Sequence, residues 1–293
     1  MNLEQTGILA PLPEQARYLT FELAAPEAVR DSLLALRDIV DGERAVLGIG
    51  PSLARALGAD IPGLRVLPPQ ACDGFDIPST PAALWCWIRG EDRGRIFHYS
   101  RSIVEALADA FRLTQSVDGY KYAEGRDLSG YIDGTENPQG DHARTVALAD
   151  DTVPGLAGSS FVAVQLWEHD FDQLEAYSRV ERDDMIGRRY SDNEELDDAP
   201  PSAHVKRTAQ ESFEPEAFML RRSMPWSEGD AGGFMFVAFG HTLDAFEASL
   251  HRMSGAEDGI ADGLFRFTRP RTGAYYWCPP IRDGRLDLSL FGL

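Results

Sequence analysis

ARYLTFELAAPEAVRDSLLALRDIV, residues 16–40, runs an alternating apolar segment straight into a helix whose apolar residues recur at three- and four-residue spacing. SSFVAVQLWEHDFDQLEAYSRV, 159–180, does the same. Each half then holds a second unit of this kind, ALWCWIRGEDRGRIFHYSRSIVEALADAF (83–111) and GGFMFVAFGHTLDAFEASLHRM (232–253), so both pairs are offset by about 140 to 150 residues. Strands and helices do not alternate one for one, which argues for a duplicated α+β chain with antiparallel sheets over a doubly wound parallel sheet. At 293 residues and 43% hydrophobic, the chain can bury one large core or two cores of about 150 residues each, and the duplication favours two. The predicted division is an N-terminal domain 1–145 and a C-terminal domain 155–293. The seam falls in GDHARTVALADDTVPGLAGSS (140–160), rich in small, polar and turn residues.

The formal charge of −19 argues against nucleic acid as a partner, because phosphate binding needs a basic footprint. It favours cations, metal ions among them, over anionic substrates. Cys72, Cys86 and Cys278 are odd in number, far apart and without CxxC spacing, so they read as reduced thiols in a cytosol. The N-terminus, MNLEQTGILAPLPEQARYLTFEL, has no basic region leading into an apolar run, and no stretch approaches the roughly 18 apolar residues of a membrane span. A soluble, cytoplasmic protein is the expectation.

GYIDGTENP, 130–138, closes the first half. Tyr131 and Ile132 are strand-like, Asp133-Gly134 is a turn dipeptide and Asn137-Pro138 punctuates again, so a hairpin or strand-to-loop exit explains the local pattern. Its position also lets a loop reach into a pocket between the halves. Of the six histidines, His98, His142, His169, His204, His241 and His251, no pair has the i, i+4 spacing of a zinc site and no HExxH occurs. A single histidine can still be an axial ligand to haem iron, because the porphyrin supplies the in-plane ligands. The acidic run YSDNEELDDAPPSAH (190–204) is a loop that delivers His204.

In LRRSMPWSEG (220–229) adjacent strand residues point to opposite faces, so at most one of Arg221 and Arg222 faces inward. Both could equally offset an acidic surface. Asp262, in GIADGLFRFTRPRTGAYYW (259–277), has the neighbours of an N-cap or turn aspartate. Arg188 and Arg189 in DMIGRRYSD can pair with acidic groups of a cofactor or with Asp192 and Glu194. Trp85, Trp87, Trp167, Trp226, Tyr275, Tyr276 and Trp277 read as core or subunit-contact aromatics.

RDLSGYIDGTENP (126–138), with its G-x-x-D-G pattern from Gly130 to Gly134, resembles the signature of dye-decolourising haem peroxidases. FVAVQLWEHDFDQLEAYS, MIGR, SAHVKRT, RRSMPW and LFRFTRPRTGAYYW follow in the order and at about the spacing of the bacterial B-type members. The resemblance covers most of the chain and is strongest from about 120 to 280. It implies an α+β fold of duplicated ferredoxin-like domains with antiparallel sheets, the haem pocket mainly in the C-terminal half, and one haem b (iron protoporphyrin IX) per chain.

Carried over residue by residue, the resemblance makes His204 the axial ligand to the iron, Asp133 the distal proton carrier and Arg221 the distal arginine, with Ser223 the small polar residue beside it. Asp262 becomes the acceptor behind His204, Arg188 a neighbour of a haem propionate, and Gly134, Glu136 and Asn137 parts of the cofactor loop. Tyr190 departs from the pattern, since many relatives have lysine there. The implied function is a peroxidase that uses hydrogen peroxide to form high-valent iron, which oxidises dyes, phenolic compounds or metal ions by one-electron steps. A non-catalytic haem-handling or iron-release protein would use the same pocket.

Implied partners are hydrogen peroxide, small-molecule or metal-ion reductants, and further copies of the chain in a homo-oligomer. The C-terminal RLDLSLFGL either packs on its own domain or docks into a protein shell. Bulky dyes outgrow a peroxide-sized pocket, so their electrons would be relayed from the surface through Tyr or Trp.

Overall fold

The computed structural model describes residues 3–72 and 74–293. In the first half, β1 (Gln15–Leu23), β2 (Ala45–Ile49), β3 (Leu84–Gly90) and β4 (Phe111–Tyr120) lie in the order β2-β3-β1-β4, all antiparallel. Helices α1 (Val29–Arg37) and α2 (Arg93–Leu107) cover one face. Val29, Leu33 and Leu36 form the buried stripe of α1, and Asp92 caps α2 by accepting from Arg95 N at 2.8 Å.

The second half repeats the plan. Its strands are β5 (Ser160–His169), β6 (Leu220–Arg221), β7 (Met224–Glu228), β8 (Ala231–Gly240), β9 (Thr268–Pro270) and β10 (Ala274–Cys278). β5 and β8 pair antiparallel at its centre, with β10 and β9 flanking β5 and with β7 and β6 flanking β8. The duplicated ferredoxin-like α+β plan expected from the sequence is present. The stretch expected to be the seam contributes more than turns: 140–147 forms helix α3 (Gly140–Ala147), which packs on β8 and β6.

The two sheets also join at both edges, through Trp277 opposite Ile49 and Gly119 opposite Trp226. Eight strands thereby close in the ring β5-β10-β2-β3-β1-β4-β7-β8. Glycine permits both junctions: a Cβ on Gly119 would sit 2.8 Å from the Tyr18 ring, and one on Gly48 2.7 Å from Tyr276 Cβ. Strand alternation now separates an inside from an outside. Tyr18, Val46, Trp85, Trp87, Val162, Phe239 and Tyr276 fill an interior shared by both halves, whereas Leu19, Leu47, Cys86, Ile88, Ala163 and Tyr275 face the covering helices. The expected pair of separate cores is thus replaced by a shared interior beneath an outer layer. Among the described residues no helix is long and apolar enough to cross a membrane.

Candidate active site

The outward face of the second sheet builds one wall of a cavity. Gln165, Trp167 and His169 reach it from β5, Phe234 and Phe236 from β8, and Arg221 from β6. Opposite them stands α5 (Asp244–Met253), with Phe246, Leu250 and Met253. The first half contributes Tyr131, Ile132 and Asp133. The walls are mostly apolar with a few polar groups converging on the space, as small-molecule sites usually are.

Alternation decides the arginines. Leu220 lies in the shared interior, so Arg221 points outward into the cavity. Arg222 turns back and donates to the carbonyls of Ile8 and Leu9 at 3.1 and 3.0 Å. Burial, with repulsion from Arg89, pushes the Arg222 guanidinium down to about 10. Arg221 Nε stands 3.5 Å from Asp133 Oδ1. That is too long for a good hydrogen bond, and this buried N–H has no other partner among the described residues. The charges face one another while a donor remains available to a further acceptor.

Asn137 fixes this arginine. Its Oδ1 accepts from Arg221 N at 2.8 Å and its Nδ2 donates to Arg221 O at 3.1 Å. The carboxylate loop and the arginine strand are therefore tied together at the backbone. Asp133 N donates to Gly125 O at 3.1 Å, and Gly130 and Gly134 take φ of +91° and +85°, which glycine adopts at no steric cost. Glu136 accepts from Arg188 Nη2 at 2.7 Å, and its carbonyl accepts from Gln210 at 3.0 Å. Ser223 Oγ accepts from Val237 N at 3.1 Å. Asn137, Glu136, Arg188 and Ser223 thus surround the cavity without lining it.

His204 opens the short helix α4 (His204–Arg207) and lines the cavity. Its Nδ1 lies 2.8 Å from Asp262 Oδ2. Asp262 is 1% exposed, and its other oxygen caps the turn Gly263–Arg266 by accepting from Leu264 N at 2.8 Å. One aspartate is therefore both the N-cap its neighbours suggested and the partner of His204. Since a carboxylate accepts, Nδ1 carries the proton and the Nε2 lone pair is left for a ligand.

Among the described residues no group of three or more His, Cys, Asp or Glu could hold a metal ion. An iron bound by His204 must therefore bring most of its own ligands, as haem does. Apolar walls, an oriented Nε2 and an unpartnered guanidinium N–H fit that group.

A second histidine escaped the sequence reading. His169 Nδ1 lies 2.7 Å from Thr268 Oγ1, and Nε2 lies 2.9 and 3.1 Å from the two oxygens of Asp127. Thr268 donates its hydroxyl proton to Glu168 O at 3.0 Å, so it accepts from Nδ1. Nε2 in turn faces both oxygens of the carboxylate. Burial alone would push Asp127 up, but the charge and hydrogen bond of His169, with the Ser129 bonds, outweigh it and hold this carboxyl below its usual range.

The Asp127 carboxylate also accepts from Ser129 N, its backbone carbonyl accepts from Gly130 N, and its own N–H donates to Tyr131 O. His169 thereby anchors the start of the GYIDG loop to β5. Asp127→Asn is expected to cost about 1.5–3 kcal/mol near neutral pH, the worth of a buried charge-assisted bond. A depressed folded-state value stabilises above the unfolded value and loses that contribution as pH falls through the folded one. The gap between variant and parent in urea melts should therefore close in acid.

The geometry describes a mostly apolar pocket on which an imidazole and a carboxylate–guanidinium pair converge, the kinds of group that haem peroxidase chemistry calls for. Residues 124–283 match the family model described as Dyp-type peroxidase, C-terminal. The chain is 31% identical over 291 residues to a dye-decolorizing peroxidase of Rhodococcus erythropolis, spanning 93% of this chain and 85% of that one. It superposes on a dye-decolorizing protein from V. cholerae with a TM-score of 0.87, at 28% identity and 98% coverage of both chains. A single-substitution variant of Rhodococcus jostii DypB, solved in complex with heme, gives a TM-score of 0.84 at 26% identity, covering 96% of this chain and 98% of that one. This chain belongs to the dye-decolourising (DyP-type) peroxidases, a family of haem-dependent enzymes.

Proposed function

We propose that this chain holds one haem b, that His204 would supply the protein ligand to its iron, and that Asp133 and Arg221 would serve hydrogen peroxide in the same cavity. The reading rests chiefly on one observation: a cavity that receives the free Nε2 of His204 also receives an arginine whose buried N–H lacks an acceptor. Haem, when bound, supplies the iron at which the O–O bond is split. Asp133 takes the proton from the inner peroxide oxygen and returns it to the outer one, which leaves as water. Arginine is a poor base, so Arg221 acts as the charge stabiliser for the departing oxygen in a water-poor pocket. Asp262 holds the imidazole in the ligating tautomer and strengthens it as a donor.

Arg188 would meet a haem propionate by exchanging Glu136 or Glu195, which it now holds at 2.7 and 3.2 Å. Gly134, Glu136 and Asn137 serve the cofactor indirectly, by shaping the loop, and Ser223 by fixing the arginine strand. Dyes, phenolic compounds or metal ions would supply single electrons. The same proposal keeps the division at 1–145 and 155–293, a cytoplasmic setting and self-association.

Leu286, Leu288 and Phe291 are buried, so the C-terminal segment packs on its own domain, and docking into a shell would require its release. A protein that only carried haem would have no use for a carboxylate–guanidinium pair beside it. Haem titration followed by peroxide mixing tests the proposal: a Soret band that forms at one haem per chain and then shifts rapidly with peroxide supports it, and an unresponsive band refutes it.

A further inference from the structure

At one mouth of the eight-strand ring two partly buried guanidiniums come together without a counter-charge. Arg89 continues the inward row of Trp85 and Trp87 on β3 and donates to the backbone carbonyls of Glu43 and Pro11. Arg222, two residues past the inward Leu220, donates to those of Ile8, Leu9 and Arg221. Both side chains thus meet beneath the same short segment, 8–11. Neither forms an ion pair among the described residues, and carbonyl dipoles alone answer two cations. Burial pushes Arg89 down against the weaker pull of Tyr18 and of the Glu43 carboxylate, and it pushes Arg222 down together with repulsion from Arg89.

Three donors at the same place lack an acceptor. Arg89 Nε, Tyr18 Oη and Trp87 Nε1 are buried and unpartnered among the described residues, in side chains of which Tyr18 is 1% and Trp87 0% exposed. Strand register brings them together. Tyr18 lies opposite Trp87 across β1 and β3, the two rings stack with centroids 6.4 Å apart, and the Arg89 guanidinium sits over the Trp87 ring at 4.6 Å. The next row across the sheet is Arg89, Ala16 and Gly119, so only small neighbours flank the arginine. Tyr18 leans over that row, since a Cβ on Gly119 would meet its ring at 2.8 Å.

Burial pushes the Tyr18 phenol up despite the opposing pull of Arg89 and Trp87, so its hydroxyl keeps its proton and remains a donor. Buried donors without acceptors are rare, and each marks strain, water or an ion. Beside two uncompensated cations, the ion is the occupant that offsets the larger cost.

We infer that the ring binds one small monovalent anion at this mouth, chloride or a similar halide, which accepts from Arg89 Nε, Tyr18 Oη and Trp87 Nε1 beside the charge of Arg222. A spherical ion accepts from three single donors without matched lone-pair directions. An oxyanion would turn further lone pairs toward aromatic walls that cannot answer them. The bound ion ties segment 8–11 to the strand of Arg222, whose Nη1 also holds the carbonyl of Arg221 at 3.1 Å. The site lies outside the cavity of the proposed peroxidase chemistry, and its test needs no peroxide.

Thermal melts of the full chain in sodium chloride and in sodium gluconate at equal ionic strength test this, because gluconate screens charge equally but is too large to enter. Chloride should raise the parent Tm by about 2–4 °C and saturate, and bromide should replace it. Tyr18→Phe keeps the ring and removes one donor, so its half-saturating chloride concentration should rise at least fivefold. Arg89→Gln should lose the chloride response, leaving its gap from the parent widest in chloride and narrower in gluconate. The chloride NMR line should be broadened by the parent, narrowed again by bromide, and broadened less by Tyr18→Phe, which keeps the test open if Arg89→Gln fails to fold. Equal parent melting in chloride and gluconate overturns the inference. A chloride response that both variants retain in full means an adventitious ion only and overturns it as well, and a stronger response to sulfate than to chloride overturns the assignment to a halide.

Discussion

Arg221→Leu is expected to slow the reaction of the haem-loaded protein with peroxide by about 10²–10³-fold, the usual cost of removing one aimed donor from a site where charge develops. Three observations set this size. The guanidinium is held at its backbone by both polar atoms of Asn137, so it is already in place when peroxide arrives. Its Nε makes no close hydrogen bond and only faces Asp133 Oδ1 at 3.5 Å, so the guanidinium keeps donor capacity for the leaving oxygen. Its carboxylate neighbour, 3.5 Å away, would face the cavity uncompensated once the arginine is gone. Haem retention should survive, since His204 and Asp262 are untouched. Rapid mixing measures the first quantity and haem titration the second; a variant that reacts at the parental rate would remove Arg221 from the chemistry.

Asp262→Ala should have the largest effect on the protein itself. Losing the cap of Gly263–Arg266 costs about 1 kcal/mol, and leaving the partly buried His204 Nδ1 without its acceptor costs about 1 kcal/mol more. Ligand strength falls as well, so haem affinity should drop by about 10–100-fold. Asp262→Asn separates the two roles. An amide can present its oxygen to Leu264 N or to His204 Nδ1, but not to both. If it keeps the cap, its NH₂ faces Nδ1 and drives the ring proton to Nε2, so the apoprotein melts close to the parent in urea while haem binding fails. Haem binding equal to the parent in both variants would exclude Asp262 as the partner of the axial ligand.

Much of the candidate site could be read from the chain because its chemistry sits in short local patterns. Asp133 lies in G-x-x-D-G, Arg221 on a strand whose alternation gives it one face, and His204 at the exit of an acidic loop. Asp262 was ambiguous between cap and partner because a carboxylate has two oxygens, and the structure uses one for each. Asn137 looked like punctuation before Pro138, and only the fold brings it to Arg221, 84 residues away.

The His169–Asp127–Thr268 group was illegible for the same reason, its members being 42 and 99 residues apart with no spacing that betrays them. Closure of the eight-strand ring was hidden too. Strands such as Leu84–Gly90 are buried on both faces and show little polar alternation, and each junction rests on a single residue pair beside a glycine.

The most direct test of the central claim is a stopped-flow absorption record of the haem-loaded protein mixed with hydrogen peroxide, run beside Asp133→Ala, Arg221→Leu and His204→Ala. The expected result is a rapid Soret change in the parent, slowed in both distal variants, with the His204 variant failing to retain haem. A parent spectrum that peroxide leaves unchanged, or a His204 variant that holds haem and reacts like the parent, would contradict the account.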